Sequence, residues 1–217
     1  MVDIVNQVVK RWFMSKPRSH RVSLAMRPDG AAGRVFGRLM EALNAPAYAF
    51  ALRLLRLQSD CDVLEIGFGT GRMIELILQN SHGRVFGVDP SAAMVDVACR
   101  RRRVRQAGDR IDLRLGDDTL LDFPARSLDR IVAIHSFQFW TDPAATTARL
   151  VALLRPGSRL VLVLRDHSRR APKWLPNPLS RQPDEPAAVE RLLGAFGFSP
   201  RQFHQGGLVA VVGDLPN

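Results

Sequence analysis

The sequence predicts an α/β fold in which a mostly parallel sheet is doubly wound, with helices covering both faces. Short apolar runs alternate with segments of helical periodicity between residues 63 and 164, which is the pattern of parallel strands joined by helical crossovers. Two of these runs, residues 131–134 and 160–164, are apolar throughout, as expected for strands buried on both faces. The first run, residues 63–66, ends in three glycines at alternate positions, and a helical pattern follows directly. A strand, a tight turn and a helix therefore begin the sheet.

The remaining elements follow in the order that this architecture requires. A helical stretch at residues 35–57, kinked around Pro46, precedes the first strand. The further predicted strands are residues 84–89, 111–115, 130–134, 159–164, 201–205 and 208–212. The further predicted helices are residues 73–78, 91–103, 144–154 and 187–196. Gly206 and Gly207 between the last two strands indicate a hairpin.

Length and composition limit the class of protein. The 217 residues, 46% of them hydrophobic, suffice for one core, so residues 1–217 are expected to form a single domain with residues 35–217 as its centre. No apolar run approaches transmembrane length, and no signal-peptide core follows the first methionine. A cytoplasmic location is therefore expected. Cys61 and Cys99 have neither metal-ligand spacing nor the pattern of a disulfide framework, so no metal site is expected.

The charge balance is strongly basic, with 31 Lys and Arg against 21 Asp and Glu and a net charge of +10. Such an excess is compatible with a nucleic-acid or anionic-membrane partner. Aromatic residues are not interleaved with the arginines as on a base-stacking surface. A compositional origin of the arginine excess is therefore favoured over a nucleic-acid partner.

Residues 1–34 form an extension before the predicted core. Apolar residues recur there at helical spacing, at Ile4, Val5, Val8, Val9, Trp12 and Phe13. The segment is expected to be an amphipathic helix that caps the core or closes over a substrate, with Trp12 as a substrate contact. Peripheral membrane contact through this helix is the alternative, and it is less favoured because Asp3 and Asn6 interrupt the apolar face.

The glycine turn suits a nucleotide-like ligand, because glycines allow positive φ and a close approach to the backbone, while the following helix offers free N–H groups. Two interpretations compete. The dinucleotide fingerprint G-x-G-x-x-G requires a third glycine where this chain has Arg72. The alternative pattern has an acid two residues before the first glycine, and Glu65 lies there. An acid is better suited to a cationic ligand than to a pyrophosphate.

Asp89 ends the second predicted strand, 18 residues after Gly71. The folds that carry the dinucleotide fingerprint and the folds that carry the alternative pattern both place an acid at this point. It accepts hydrogen bonds from the two ribose hydroxyls. The alternative is that Asp89 only caps the next helix, with Pro90 at its first position. The two roles are compatible with one another.

Several motifs in this order resemble the class I S-adenosylmethionine (SAM)-dependent methyltransferases, and within them the type 11 group that includes ubiquinone- and menaquinone-methyltransferase-like enzymes. The motifs are E-x-G-x-G-x-G at 65–71, G-D-D at 116–118, L-D-F-P at 121–124, S-L-D-R-I-V at 127–132, F-W-T-D-P at 139–143 and L-R-P-G-S-R-L at 154–160. Asp118, Leu128 and Ser158 depart mildly from the usual residues. The resemblance covers about residues 55–165. It implies a Rossmann-like, seven-stranded sheet with an antiparallel last strand, and SAM as cofactor with S-adenosylhomocysteine as product.

The resemblance also implies which residues hold this cofactor. Glu65 and the turn would bind its methionine end, Asp89 its ribose and Asp117 its adenine amino group, while His135 would lie beside the methyl group. The full implied set is Glu65, Gly67, Phe68, Gly69, Thr70, Gly71, Asp89, Pro90, Met94, Gly116, Asp117, Asp118, His135 and Ser136.

Methyl transfer from a sulfonium requires alignment, and a base where the nucleophile must lose a proton. His135 is the candidate base, because imidazole titrates near neutrality and His135 follows a strand that ends at the ligand crevice. Its alternative role is a hydrogen bond within the loop. Phe137, Phe139 and Trp140 either line an apolar substrate pocket or pack in the core. The expected function is methyl transfer to a small, apolar or aromatic acceptor; the alternatives are an RNA methyltransferase and a non-catalytic binding module.

Overall fold

A computed structural model describes residue 37, residues 40–166 and residues 184–217. The predicted N-terminal cap at residues 1–34, its membrane alternative and Trp12 lie outside these residues. Within the described part, no helix has the length and apolar character needed to cross a membrane.

The described strands form one seven-stranded sheet, as the resemblance implied. The strands are β1 (Val63–Ile66), β2 (Val85–Asp89), β3 (Ile111–Leu115), β4 (Leu128–Ile134), β5 (Leu154–Arg165), β6 (Ser199–Gln205) and β7 (Leu208–Asp214). Their spatial order is β3-β2-β1-β4-β5-β7-β6. The first five run parallel to one another, and β7 runs antiparallel to both of its neighbours. The strand order reverses between β1 and β4, and ligands bind at the carboxyl ends of strands at such a reversal.

Helices cover both faces of the sheet. They are α1 (Ala45–Leu55), α2 (Arg72–Asn80), α3 (Ala92–Cys99), α4 (Arg102–Gln106), α5 (Pro143–Leu153) and α6 (Glu185–Ala195). Phe50 of α1 and Ile77 of α2 belong to the apolar cluster on one face. Leu150 of α5 and Leu192 of α6 belong to the cluster on the other face. The doubly wound prediction is confirmed, and the predicted kink before Pro46 is present as a break at Asn44 between two helical stretches.

The single helix predicted at residues 91–103 is wrong, because two helices occupy this region. Arg101 adopts an extended backbone conformation with ψ 139° and separates α3 from α4. The prediction failed because Arg is a good helix former and nothing in the local sequence marks the break. Ser91 caps α3 through a hydrogen bond from Met94 N to its Oγ. Pro90 therefore lies outside the helix, and Asp89 is not its N-cap.

Helix α1 runs antiparallel to the central strands. Its last turn meets the amino ends of β4 and β5, where Arg130 and Arg159 donate hydrogen bonds to the carbonyls of Leu55 and Leu54. Its first residues therefore lie at the carboxyl edge of the sheet. There Asn44 contacts Arg165 at the end of β5, so residues 40–44 cross this edge and border the ligand crevice.

Candidate functional site

The glycine turn joins β1 to α2 at the carboxyl edge. Gly67 and Gly69 have φ values of +76° and +54°, a region that favours glycine. A Cβ on Gly67 would lie 2.6 Å from Cβ of Ser136, so Gly67 allows the close approach of the β4 loop. A Cβ on Gly69 would meet nothing within 4 Å. The turn therefore packs tightly at Gly67 and is open at Gly69, where a ligand would approach the backbone.

Asp89 holds the open part of this turn in place. The carboxylate is 6% exposed and accepts hydrogen bonds from Gly69 N at 2.7 Å and from Ser91 N at 2.9 Å. Burial raises the pKa of Asp89 to about 6, although both backbone hydrogen bonds oppose the rise. Each oxygen keeps a second lone pair, so the carboxylate is able to accept from a cis-diol as well.

Glu65 is the most deeply buried acid of the site, at 1% exposure. The backbone of Ile74, in the first turn of α2, favours the charged form of Glu65. Burial first and the neighbouring Asp89 charge second raise the pKa of Glu65 well above its ordinary value. Among the described residues, none donates a hydrogen bond to Glu65 Oε2. A buried carboxylate oxygen without a donor is costly, and an ammonium or sulfonium ligand would stabilise it, so Glu65 fits the ammonium group at the amino acid end of SAM.

Arg101 connects the glycine turn to the segment that crosses the sheet edge. Its guanidinium donates to Thr70 O at 2.5 Å and pairs with Glu75 at 2.5 Å and with Glu41. Thr70 Oγ1 in turn donates to Glu41 at 2.6 Å. The positive charge of Arg101 also opposes the rise in the pKa of Glu65. These contacts fix residues 40–44 against the turn.

His135 and Ser136 follow β4, and Ser136 faces the glycine turn. Ser136 Oγ donates to Ile66 O at 2.6 Å and so joins the ends of β4 and β1. His135 has a φ of +54° although it is not glycine, and its N–H donates to Val163 O of β5. A left-handed conformation costs such a residue about 1–2 kcal/mol, and residues strained in this way cluster at functional sites.

The loop after β3 contains three of the implied cofactor residues, Gly116, Asp117 and Asp118. Asp117 is exposed, and its Oδ1 accepts from Thr119 N at 2.9 Å. Asp118 is 3% exposed and accepts from Thr146 Oγ1 at 2.6 Å, which binds it to α5. Gly116 N donates to Asp89 O. Met94 is buried at the start of α3, close to Gly37. A contact of these residues with adenine stays a prediction.

The aromatic residues after β4 are mainly core residues. Phe137 and Trp140 are 1% and 7% exposed, and their ring centroids lie 5.0 Å apart. Phe139 is the half-buried member of the three. Lining of a substrate pocket therefore stays a prediction that concerns Phe139 most directly.

Glu41 and Arg101 belong to this site although no sequence motif marks them. In the arginine run at residues 100–103, Arg100, Arg102 and Arg103 are exposed, whereas Arg101 is half-buried. Arg101 turns inward because the helix breaks there. Glu41 is 60 positions away from Arg101 in sequence, and no local motif connects them.

Comparisons with known proteins agree with this geometry. A family model described as a methyltransferase domain, of type 11, matches residues 64–162. Nocamycin O-methyltransferase of Saccharothrix syringae is 33% identical over 59% of this chain and 49% of its own length. Malonyl-[acyl-carrier protein] O-methyltransferase of Paenibacillus is 35% identical over 46% of this chain and 37% of its own length. The chain thus spans half or less of the length of these curated relatives.

A solved structure shares the fold. The 1,6-didemethyltoxoflavin-N1-methyltransferase of Burkholderia thailandensis, solved with bound 1,6-didemethyltoxoflavin and S-adenosylhomocysteine, has a TM-score of 0.61 and 23% identity. The match covers 85% of this chain and 83% of that one. With the glycine turn, Glu65 and Asp89 at the carboxyl edge of a sheet of this order, residues 64–162 match the methyltransferase domain of the type 11 group of class I SAM-dependent enzymes.

Proposed function

We propose that this protein transfers the methyl group of SAM to a small acceptor with an apolar or aromatic body. The observation that carries the proposal is the buried pair Glu65 and Asp89 beside the open backbone at Gly69. When bound, SAM supplies a methyl group on a positively charged sulfur that leaves as a neutral thioether. Burial disfavours the ionised forms of the two carboxyl groups, and a cation bound beside them would favour those forms.

The residues around this pair have separate roles in the proposal. Glu65 binds the cationic end of the cofactor, and Asp89 binds the ribose while it keeps Gly69 N in place. Ser136 fixes the end of β4 against the turn. His135 accepts the proton that an acceptor hydroxyl releases as its oxygen takes the methyl group. Alignment supplies the rest of the catalysis.

The direct test is calorimetric titration with S-adenosylhomocysteine, with NADH as the control ligand. Micromolar binding of S-adenosylhomocysteine together with no heat from NADH is expected. Binding of NADH alone would overturn the proposal.

Replacing Asp89 with alanine is expected to weaken S-adenosylhomocysteine binding by about 1–3 kcal/mol, because two ribose hydroxyls lose their acceptor. The unfolding free energy should fall as well, since Gly69 N and Ser91 N lose theirs. Ser91→Ala is the matched control: it removes the cap of α3 and about 1 kcal/mol of stability, and it should leave the affinity unchanged. Equal affinities of Asp89→Ala and the native protein would remove Asp89 from the binding site.

Replacing His135 with asparagine should lower kcat about 10²- to 10⁴-fold with a hydroxylated acceptor, since asparagine tolerates the left-handed backbone but is not a base. The alkaline plateau of the pH profile should disappear, and the affinity for S-adenosylhomocysteine should stay within about twofold. His135→Gly keeps the backbone conformation without strain and removes the imidazole altogether. Full activity in both variants would show that His135 is not the base.

A nucleic-acid acceptor is the second candidate. Four exposed arginines, Arg100, Arg102, Arg103 and Arg105, lie on and between α3 and α4. If they bind RNA, affinity for tRNA should fall steeply as salt increases. Weak tRNA binding without that dependence would favour the small acceptor.

A further inference from the structure

Arg165 ends β5 at the carboxyl edge, next to the residues of the candidate site. The register pairs Val163 of β5 with Ile134 of β4, and His135 N donates to Val163 O. Val161 and Val163 belong to the apolar cluster beneath α1. Because side chains alternate along a strand, Arg165 lies on this same face, one strand away from His135.

The guanidinium of Arg165 is half-buried and lacks a charged partner in the part of the chain that the structure describes. It makes one long hydrogen bond, 3.4 Å, to Asn44 Oδ1. Burial lowers the pKa of Arg165, and none of the described acids offsets this effect. By contrast, Arg101, Arg155 and Arg159 each pair with one or two carboxylates. Along the sequence, no acidic residue occurs between Asp166 and Asp184.

A cation that is half removed from water without a counter-charge is costly to the fold. The planar guanidinium of Arg165 has donors suited to bidentate binding of a carboxylate. Asn44 extends this polar surface towards Tyr48, which lies one helical turn further along in α1. The negative charge of Glu65 acts in turn on Tyr48. A polar row therefore runs from Arg165 on β5 to Glu65 on β1.

We propose that Arg165, supported by Asn44, binds an anionic oxygen group of the methyl acceptor, a carboxylate or an equivalent oxyanion. This inference rests on the proposed function and names the acceptor class for the same site. An anion held at Arg165 places the body of the acceptor beside His135, since neighbouring strands are about 4.8 Å apart.

The methionine carboxylate of the cofactor has the same chemistry and is the competing source. Strand β4 separates β5 from β1, so Arg165 lies about 10 Å across the sheet from the glycine turn. This distance favours the acceptor over a cofactor whose amino acid end is held at Glu65.

The test compares the native protein with Arg165→Gln in two titrations. The first uses S-adenosylhomocysteine, and the second uses two matched probe pairs, 4-hydroxybenzoate with its methyl ester and monoethyl malonate with diethyl malonate. The second titration is run both with and without S-adenosylhomocysteine. We expect the native protein to prefer a carboxylate over its ester about tenfold or more, and Arg165→Gln to lose this preference with S-adenosylhomocysteine binding unchanged.

Arg53→Gln is the matched control, because Arg53 is an exposed arginine near the other end of α1 and its loss changes net charge equally. It should keep the preference for carboxylates.

Arg165→Gln should unfold at the same temperature as the native protein or higher, since no ion pair is lost, whereas loss of a structural arginine would give a lower unfolding temperature. Equal affinity of the native protein for acids and esters would overturn the proposal. So would a loss of S-adenosylhomocysteine affinity in Arg165→Gln, which would assign Arg165 to the cofactor. Failure of the native protein to bind S-adenosylhomocysteine while the carboxylate preference persists would contradict the proposed function alone.

Discussion

Gly67→Ala is expected to lower the free energy of unfolding by about 3 kcal/mol. Two effects add. A left-handed backbone costs a residue with a Cβ about 1–2 kcal/mol, and the new methyl group would lie 2.6 Å from Cβ of Ser136, an overlap of the kind that costs about 1–3 kcal/mol. Ser136 yields little, because its Oγ is bonded to Ile66 O. Urea unfolding followed by circular dichroism measures the difference.

Gly69→Ala is the control for this change, since it has the same left-handed strain without the overlap. Its cost in stability should be only about 1–2 kcal/mol. For a given loss of stability, Gly69→Ala should weaken ligand binding more than Gly67→Ala does, because its methyl group occupies the open side of the turn. If both alanines destabilise equally, the contact between Gly67 and Ser136 is looser than the structure indicates.

Glu65→Gln is expected to weaken S-adenosylhomocysteine binding about 100-fold at neutral pH. The glutamine amide fills the same volume but offers the ammonium group of the ligand no negative charge, and losing one partner of a buried charged pair costs about 2–5 kcal/mol. Calorimetry supplies the affinity. Glu75→Gln is the comparison, because Glu75 is also a buried acid but pairs with Arg101, and its loss should reduce stability more than affinity.

The same substitution should raise stability in a pH-dependent manner. Because the pKa of Glu65 is raised in the folded protein, the unfolded chain releases the proton first as the pH increases. Stability therefore falls as the pH rises from the ordinary pKa of Glu65 to its raised pKa in the folded protein. Asp89 acts in the same direction between its ordinary pKa of 3.8 and its folded-state pKa of about 6. Relative to the native protein, Glu65→Gln should show no gain near pH 4 and a clear gain near pH 8. A gain independent of pH would show that Glu65 does not titrate as inferred.

The sequence carried enough information to predict the sheet, its helices and the glycine turn. Strands such as Val85–Asp89 are marked by apolar runs, and the turn by glycines at fixed spacing. What sequence analysis missed depends on tertiary contacts. Arg101 leaves the helical conformation to reach Thr70 and Glu41, and Asn44 meets Arg165 across 121 positions. No local propensity encodes either contact, so both become visible only when the helices are packed on the sheet.

The position of β7 has a consequence for how the chain is made. β7 lies between β5 and β6 although it follows both in sequence. On the ribosome, the apolar strand β5 therefore has one row of backbone groups without a neighbour while residues 166–214 are added, which takes roughly 2 to 10 s at about 5–20 residues per second. An unpaired strand edge is prone to pair with other chains. The nascent protein thus depends on its last strand to close the middle of its own sheet, and chaperone protection matters most during this interval.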